Sequence, residues 1–399
     1  MSIALVGDRI EVRYTVGDPK GNSTSSPWLI ADIAAAVAEV IVVGKIYTFP
    51  SINIHVYSGA YLKILDSILI FTGTFAGGGS LVRANGGWLQ IGEKDVNNKY
   101  SKGCVIDMSQ MSTSVKFCYF DNLYDSYIIG GADKRLGGMQ GVNTENSKIS
   151  GQGTSNSNLS GILKYLQISD SGYGLRPTVA ITSVDNVIFS GCNIGIWIYA
   201  TTVLITGFIL RNVKFINSAI AIRQESLANN STENTFIGVT FEGNTTDIDN
   251  KMSGTTTQYT YSKLNFGEEF SITVTDSSGV AIEGVTVLLK DKNGDTVFSE
   301  LTDSDGVYNQ DVIRFIRLSE KNSPAFTEVV TETNFNPFTL TVSYAGKQTY
   351  EAKITISAKS DLQIMLGDEV APVSSDVTGI KIADSLAINA VNGKLIMLI

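Results

Sequence analysis

Several residue types are scarce in this 399-residue chain, and most of these scarcities exclude something. Cysteine occurs three times, at Cys104, Cys118 and Cys192, an odd set without CxxC spacing, which excludes a disulfide framework and a zinc site. Charged residues make up only 17% of the chain, no basic run exceeds two residues, and the formal net charge is −9. A nucleic-acid backbone needs clustered lysine and arginine, so it is excluded as a partner. No run of about 18 apolar residues is present, so no membrane span is expected. The amino terminus lacks a basic region, a continuous apolar core and a small-residue cleavage site, and so does not read as a secretory signal. Histidine occurs once, at His55, and proline seven times.

What is abundant is glycine, 38 residues, together with serine, threonine and asparagine among short apolar runs. That composition suits an all-β chain with many turns. A repeat organises its middle. Val187 and Phe189 recur as Val213 and Phe215, then as Val239 and Phe241, always 26 residues apart; Ile196, Ile222 and Ile248 keep the same spacing. Within each unit apolar and polar residues alternate with a period of two, which specifies strands, and a fixed period in the twenties specifies a solenoid. Leu166, Ile168, Tyr173 and Leu175 match one further repeat. At about 22–26 residues per coil, 41–252 holds roughly eight or nine coils of a right-handed parallel β-helix.

Before it, Ile10, Val12 and Tyr14 alternate as a hairpin arm, and 17–26 form a polar tether, giving an amino-terminal segment 1–27. Ser26 as N-cap and Pro27 as first helical residue start a helix over 28–40 that buries Leu29, Ile33, Val37 and Val40 and caps the open end of the first coil. The helix and coils together make 28–252. Short strands are expected at 41–43, 46–49, 52–56, 61–64 and 68–71, with turns at Gly77–Gly79 and Gly86–Gly87. Residues 93–103 and 131–161 read as long polar loops that leave the stack and carry recognition. A linker follows at 253–267, then a second β domain over 268–370 with turns at 276–279, 291–295 and 303–306. Residues 371–399 hold terminal strands at 379–383, 386–391 and 395–399. Their apolar edge is expected to pair with another copy or another protein.

The register of the repeats also nominates a site. One step past the inward Ile196, Ile222 and Ile248 stand Trp197, Arg223 and Asp249, and one step before the last stands Asp247. With coils about 4.8 Å apart, Trp197 and Arg223 are placed for a cation–π contact and Arg223 and Asp249 for an ion pair. Such a ladder can serve as a sugar platform or can stabilise an outer face. Asp247 and Asp249 are the candidate catalytic carboxylates, since a glycosidase needs two about 5–9 Å apart across a cleft. Asp291, Asn293 and Asp295 begin like a calcium loop, but Thr296 stands where that loop needs glycine, so turn chemistry is the reading there. Asn229 and Asn244 match glycosylation acceptors, and coil turns account for them. Cys192 reads as a buried free thiol. No metal or cofactor is expected.

Two resemblances add to this reading. The 26-residue coils and the strands at 46–71 resemble the pectin-lyase-like parallel β-helix superfamily, including phage tailspikes. The aspartate cluster, Gly-His-Gly and Arg-Ile-Lys motifs of its polygalacturonase members do not occur here. Val274, Asp276, Gly279, Gly284, Val287, Thr302, Asp303, Asp305, Gly306 and Tyr308 resemble the carboxypeptidase regulatory-like (transthyretin-like) family. That likeness implies an Ig-like, non-catalytic sandwich closed by a strand at 361–366. A parallel β-helix without an export signal is expected in a virion: a fibre, tailspike-like or decoration subunit of a phage or phage-like particle. The partners then expected are other virion proteins, a host-surface glycan and further copies of the chain, three being common in such fibres. A polysaccharide depolymerase and a bacterial surface adhesin are the rival expectations.

Overall fold

A computed structural model describes residues 3–74, 81–83, 86–112, 116–131, 136–153, 157–177, 181–200, 207–227, 231–253, 260–321, 328–369, 388–391 and 394–397. Among these the chain is all-β with a single helix. It divides into two compact units, Met1–Asn234, Val239–Lys263 and Leu318–Val330 in the first, and Thr235–Gly238, Leu264–Arg317 and Thr331–Ile399 in the second.

The first unit is built mainly from parallel ladders between strands that recur along the sequence. Ile188, Phe189 and Ser190 pair with Lys214, Phe215 and Ile216, which pair in turn with Thr240, Phe241 and Glu242. The inward phenylalanines stack face to face, Phe189 on Phe215 at 5.2 Å and Phe215 on Phe241 at 5.7 Å. A separate four-stranded sheet, Tyr173–Leu175, Ile194–Ala200, Ile220–Leu227 and Thr246–Ser253, aligns Leu175, Ile196, Ile222 and Ile248. The offset between bonded neighbours is 26 residues here but 21 and 19 further upstream. It lengthens to 32 between Leu89 and Asp121, where the hairpin Glu93–Lys94 and Tyr100–Ser101 is inserted.

Two columns of left-handed residues recur from one repeat to the next. Asp125, Asn146, Tyr165, Asn186, Asn212 and Gly238 form one, with φ between 48° and 65°. Asp170, Gly191, Asn217 and Gly243 form the other, with φ between 50° and 65°. Asparagine, aspartate and glycine tolerate this region because a short polar side chain, or none, avoids the steric penalty on larger ones. The asparagines also tie one repeat to the next: Asn146 Nδ2 donates to Asp125 Oδ1 at 2.9 Å, and Asn212 Nδ2 to Asp185 Oδ1 at 3.1 Å. Asn244, read from sequence as a turn residue, accepts from the Ser218 amide at 2.9 Å. Asn229 lies outside the described residues.

Several expectations are corrected. The helix is Ile30–Ala36, shorter at both ends than 28–40. Ser26 and Pro27 do not cap it, because Trp28 and Leu29 are drawn into a parallel pairing with Leu62 and Lys63. Asp32 instead accepts from the Leu29 amide at 2.7 Å. Leu29 is exposed, while Ile33, Val37 and Val40 are buried as the stripe required. Residues 131–161 are not one long loop: Leu136–Glu145, Lys148–Ser150 and Ser157–Ser169 are strands in the parallel ladder. Backbone pairing to neighbours on both sides, as at Asn143 between Asn122 and Ile162, holds a sequence whose composition reads as irregular. The turn at Gly77–Gly79 lies outside the described residues.

In the second unit two sheets close on one core. Thr286–Lys290, Thr296–Leu301, Phe338–Ser343 and Tyr350–Ile354 form an antiparallel sheet, while the end of the strand Thr260–Asp276, from Phe270 on, pairs in parallel with Ser360–Leu366. Ile272, Val274 and Leu366 from one sheet meet Val287, Leu289, Leu340 and Val342 from the other. The strand Thr260–Asp276 takes up part of the expected linker 253–267, and residues 254–259 lie outside the described residues.

One turn chemistry recurs three times. Asp276, Asp291 and Asp303 each accept, through Oδ1, the amides two and four residues on, with a left-handed glycine between at 279, 294 and 306. These carboxylates satisfy backbone donors, which explains the aspartate-rich turns without a metal. Gly306 admits no larger residue, since a Cβ there would lie 2.4 Å from the Val274 carbonyl oxygen. At the carboxyl terminus, Lys394–Met397 pairs with Ile388–Val391 and, in parallel, with Ser360–Leu366. Lys394–Met397 thus has a strand neighbour on each side within this chain. The expected strand at 379–383 lies outside the described residues.

Candidate functional site

The nominated ladder lies on the four-stranded sheet of the first unit. Strand alternation places Ile196 and Ile198 inward, both fully buried, and leaves Trp197 and Tyr199 partly exposed on the other face. Trp197 pairs with Arg223 and Arg223 with Asp249, as the spacing required. Arg223 Nε donates to Asp249 Oδ2 at 2.7 Å, which realises the expected ion pair.

The expected stacking partner is replaced. The guanidinium over the Trp197 ring belongs to Arg176, 4.5 Å from its centroid and 5.4 Å from that of Tyr199. Tyr173 meets the indole edge-on at 4.9 Å, and Tyr199 packs against it at 5.2 Å. Arg223 is held by Asp249, while Arg176, following the end of the strand Tyr173–Leu175, is placed over the rings. The sequence held the signal for it. Leu175 aligns with Ile196, so the residue one step on, Arg176, aligns with Trp197. Trp197 Nε1 is buried without a hydrogen-bond partner, and such an orphaned donor costs about 1–3 kcal/mol.

The two candidate carboxylates are brought onto one strand but into different roles. Asp249 holds Arg223, whereas Asp247 is exposed and accepts from Asn244 Nδ2 at 3.1 Å within the turn. With one carboxylate neutralised by a guanidinium and the other engaged in a turn, the ladder offers an acid–base pair no assembled geometry. What it offers chemically is a partly exposed cation and an aromatic cluster already covered on one side.

Behind this face the inward column turns polar. Gln224 is fully buried; its Nε2 donates to Ser262 Oγ at 2.8 Å, and its Oε1 accepts from Asn234 Nδ2 at 2.7 Å. Asn234 in turn accepts from the Phe208 amide at 3.0 Å. Every one of these groups has a partner, so the network fixes the register of the late repeats at little net cost.

Several other titratable groups are buried in structural contacts. Under the 93–103 hairpin, Lys94 Nζ donates to both oxygens of the buried Glu145 at 3.0 and 2.8 Å, and Tyr100 OH adds a bond at 2.9 Å. Burial, with the bond to Glu145 second, pushes the Tyr100 hydroxyl well above the usual phenol range. Cys104, Cys118 and Cys192 are buried free thiols, and burial pushes Cys118 up to about 12, which leaves it inert. Among the described residues no cluster of histidine, cysteine, aspartate and glutamate converges as a metal site. No helix among them is long and apolar enough to cross a membrane.

No family model matches the chain, and no curated protein matches it. Among solved structures, two point mutants of Acinetobacter radioresistens catechol 1,2-dioxygenase are similar over 29% of this chain and 57% of theirs, with 15% and 14% identity and TM-scores of 0.18 and 0.17. The Bacillus anthracis TIE protein is similar over 32% of this chain and 36% of its own, with 11% identity and a TM-score of 0.13. The likeness thus spans little more than half of the dioxygenase chains, at scores too low to carry any inference about this one.

Proposed function

We propose that the first unit is a right-handed parallel β-helix of the pectin-lyase-like kind, and the second an Ig-like, carboxypeptidase regulatory-like module. On this reading the chain is a structural virion protein of a phage or phage-like particle, a fibre, tailspike-like or decoration subunit serving attachment to a host surface. The observation that carries it is the continuity of the ladders. Parallel strands at fixed offsets stack the inward column Phe189, Phe215 and Phe241 beside the outward column Trp197, Arg223 and Asp249. A stack of this kind is stiff along its axis because each repeat is hydrogen-bonded to its neighbours. Stiffness without an assembled acid–base pair is what a rod that presents a surface requires.

Immunogold electron microscopy of particles from the same source tests the assignment. Label on tail or capsid appendages is expected, and particles that lack the chain would sink it. Release of shortened chains from capsular polysaccharide by the purified protein would establish a depolymerase instead. A solution mass of three chains is expected for a fibre subunit.

A further inference from the structure

The amino-terminal end of the first unit carries an apolar edge that its helix does not cover. The helix Ile30–Ala36 packs against Ile3–Val6, Trp28–Leu29 and Tyr61–Ile64. The strand Ile41–Val43 is instead exposed at all three positions, Ile41 at 55%, Val42 at 45% and Val43 at 68%. Val42 falls on the side of Tyr47 and the fully buried Leu69, so its exposure means that the strand stands beyond the packed coil. On the outer side Val43, Ile46 and Ile68 make one row across three strands, with Ile46 and Ile68 each 37% exposed. The row continues through Val105 and Tyr127 and turns polar at Lys148 and Gln167. The apolar part of this face is thus confined to the end of the stack.

The backbone of that strand is also only half used. Among the described residues Ile41–Val43 pairs with Ile46–Pro50 alone, antiparallel across a turn at Gly44–Lys45. A two-residue hairpin turn makes the residues that flank it, Val43 and Ile46, a hydrogen-bonded pair. Bonded and non-bonded pairs alternate along such a ladder, so the amide and carbonyl of Val42 face the open edge. Proteins blunt edges of this kind with charge, proline or a bulge, and Ile41–Val43 carries neither charge nor proline. The strand is bounded by turns at 38–39 and 44–45. A long extended segment laid along it would therefore be ordered past the last ladder bond, at an entropic cost with no bond to offset it. A strand equally short, with turns at both ends, fits.

We infer that this edge pairs with the same edge of a second copy of the chain, antiparallel across a two-fold axis through Val42. Val42 then exchanges both backbone hydrogen bonds with its counterpart, and Ile41 meets the counterpart of Val43, so apolar side chains face each other on both sides of the joined sheet. The antiparallel approach sets the two exposed Glu39 carboxylates at opposite ends, each towards the neutral Lys45–Asp66 ion pair of the other copy. Parallel pairing would bring like charges together. The five exposed side chains offer on the order of 400 Å², and with their flanks two copies bury on the order of 1,000 Å². That is the small end of specific interfaces, which makes the pairing weak and dependent on concentration. It rests on the edge of the ladder and not on whether the chain belongs to a particle.

Sedimentation equilibrium of the full chain, from about 1 to about 300 μM, reads the pairing. The mass is expected to rise to twice its low-concentration value; the low value, and not the doubling, reports on a three-chain fibre subunit. Val42→Pro removes the outward amide, which an edge strand tolerates, so the thermal midpoint is expected to hold while the pairing weakens by about tenfold or more. Val43→Lys places a charge in the joint and is expected to weaken it as much. Cys104, Cys118 and Cys192 are buried, so a short bismaleimide is expected to couple two chains of Val42→Cys through the introduced thiol. A mass that stays constant to the highest concentration overturns the inference. So does a doubling that both Val42→Pro and Val43→Lys leave intact, or a failure of Val42→Cys to couple where the mass has doubled.

Discussion

Phe215 is the residue on which the stacked arrangement can be tested most directly. Its ring is fully buried between Phe189 at 5.2 Å and Phe241 at 5.7 Å, nearly parallel to both at 12° and 14°. The chain leaves room for it at one place in particular: a Cβ on Gly195 would stand 2.6 Å from Phe215 Cδ1. Truncating a buried phenylalanine to alanine costs about 3–5 kcal/mol, the transfer of the ring plus the cavity left behind. Two lost stacks, each about 0.5–1.5 kcal/mol, place Phe215→Ala in the upper half of that range. Phe215→Leu keeps most of the volume and is expected to cost about 1–2 kcal/mol. Ile188, one position before Phe189 on the same strand, faces outward and is 38% exposed, so Ile188→Ala should cost about 0.5–1 kcal/mol. Urea unfolding gives the three values. Hydrogen exchange then locates the loss, which should fall on the bonded amides of Lys214–Ile216 and Thr240–Glu242. Equal costs for Phe215→Ala and Ile188→Ala, or a Phe215→Ala cost below about 1 kcal/mol, would refute the inward column.

Other consequences are open to measurement. Arg176→Ala, in a background where Trp28 and Trp88 are phenylalanine, should shift Trp197 fluorescence to the red and cost about 1 kcal/mol, whereas Arg223→Ala should leave the emission in place. Lys94→Met strips a buried carboxylate of its charge partner and should cost about 3 kcal/mol in urea unfolding, with Glu145→Gln in the same background restoring part of it. Burial, and secondly the Arg9 guanidinium, hold the His55 imidazole below its ordinary 6.5. The unfolded chain then binds the proton more readily, so stability falls as pH drops below about 6.5. Because His55 is the sole histidine, His55→Gln should flatten that part of a plot of thermal midpoint against pH, and an unchanged slope would place the titration elsewhere.

What the sequence determined by itself was local and periodic. Alternation decided which residues face inward in each strand, and a 26-residue spacing aligned Phe215 with Phe241 and Arg223 with Asp249, because parallel strands pair at constant offset. The glycines after Asp276, Asp291 and Asp303 announced the turns through their freedom at positive φ. The helix start was misread at Ser26 because Trp28 and Leu29 are claimed by a strand 34 residues on, a contact no local signal records. The ladder of strands in 131–161 was invisible for the same reason, since its hydrogen bonds come from neighbouring repeats and not from the propensity of Gly-, Asn- and Ser-rich segments. The Trp197 ladder was half legible: its ion pair followed from register, while the cation over the indole followed from the 21-residue step between Leu175 and Ile196. Tyr165 was legible only as a residue in an apolar–polar run. Only the tertiary structure decided that it holds a left-handed backbone, because φ there is set by the column of repeats above and below.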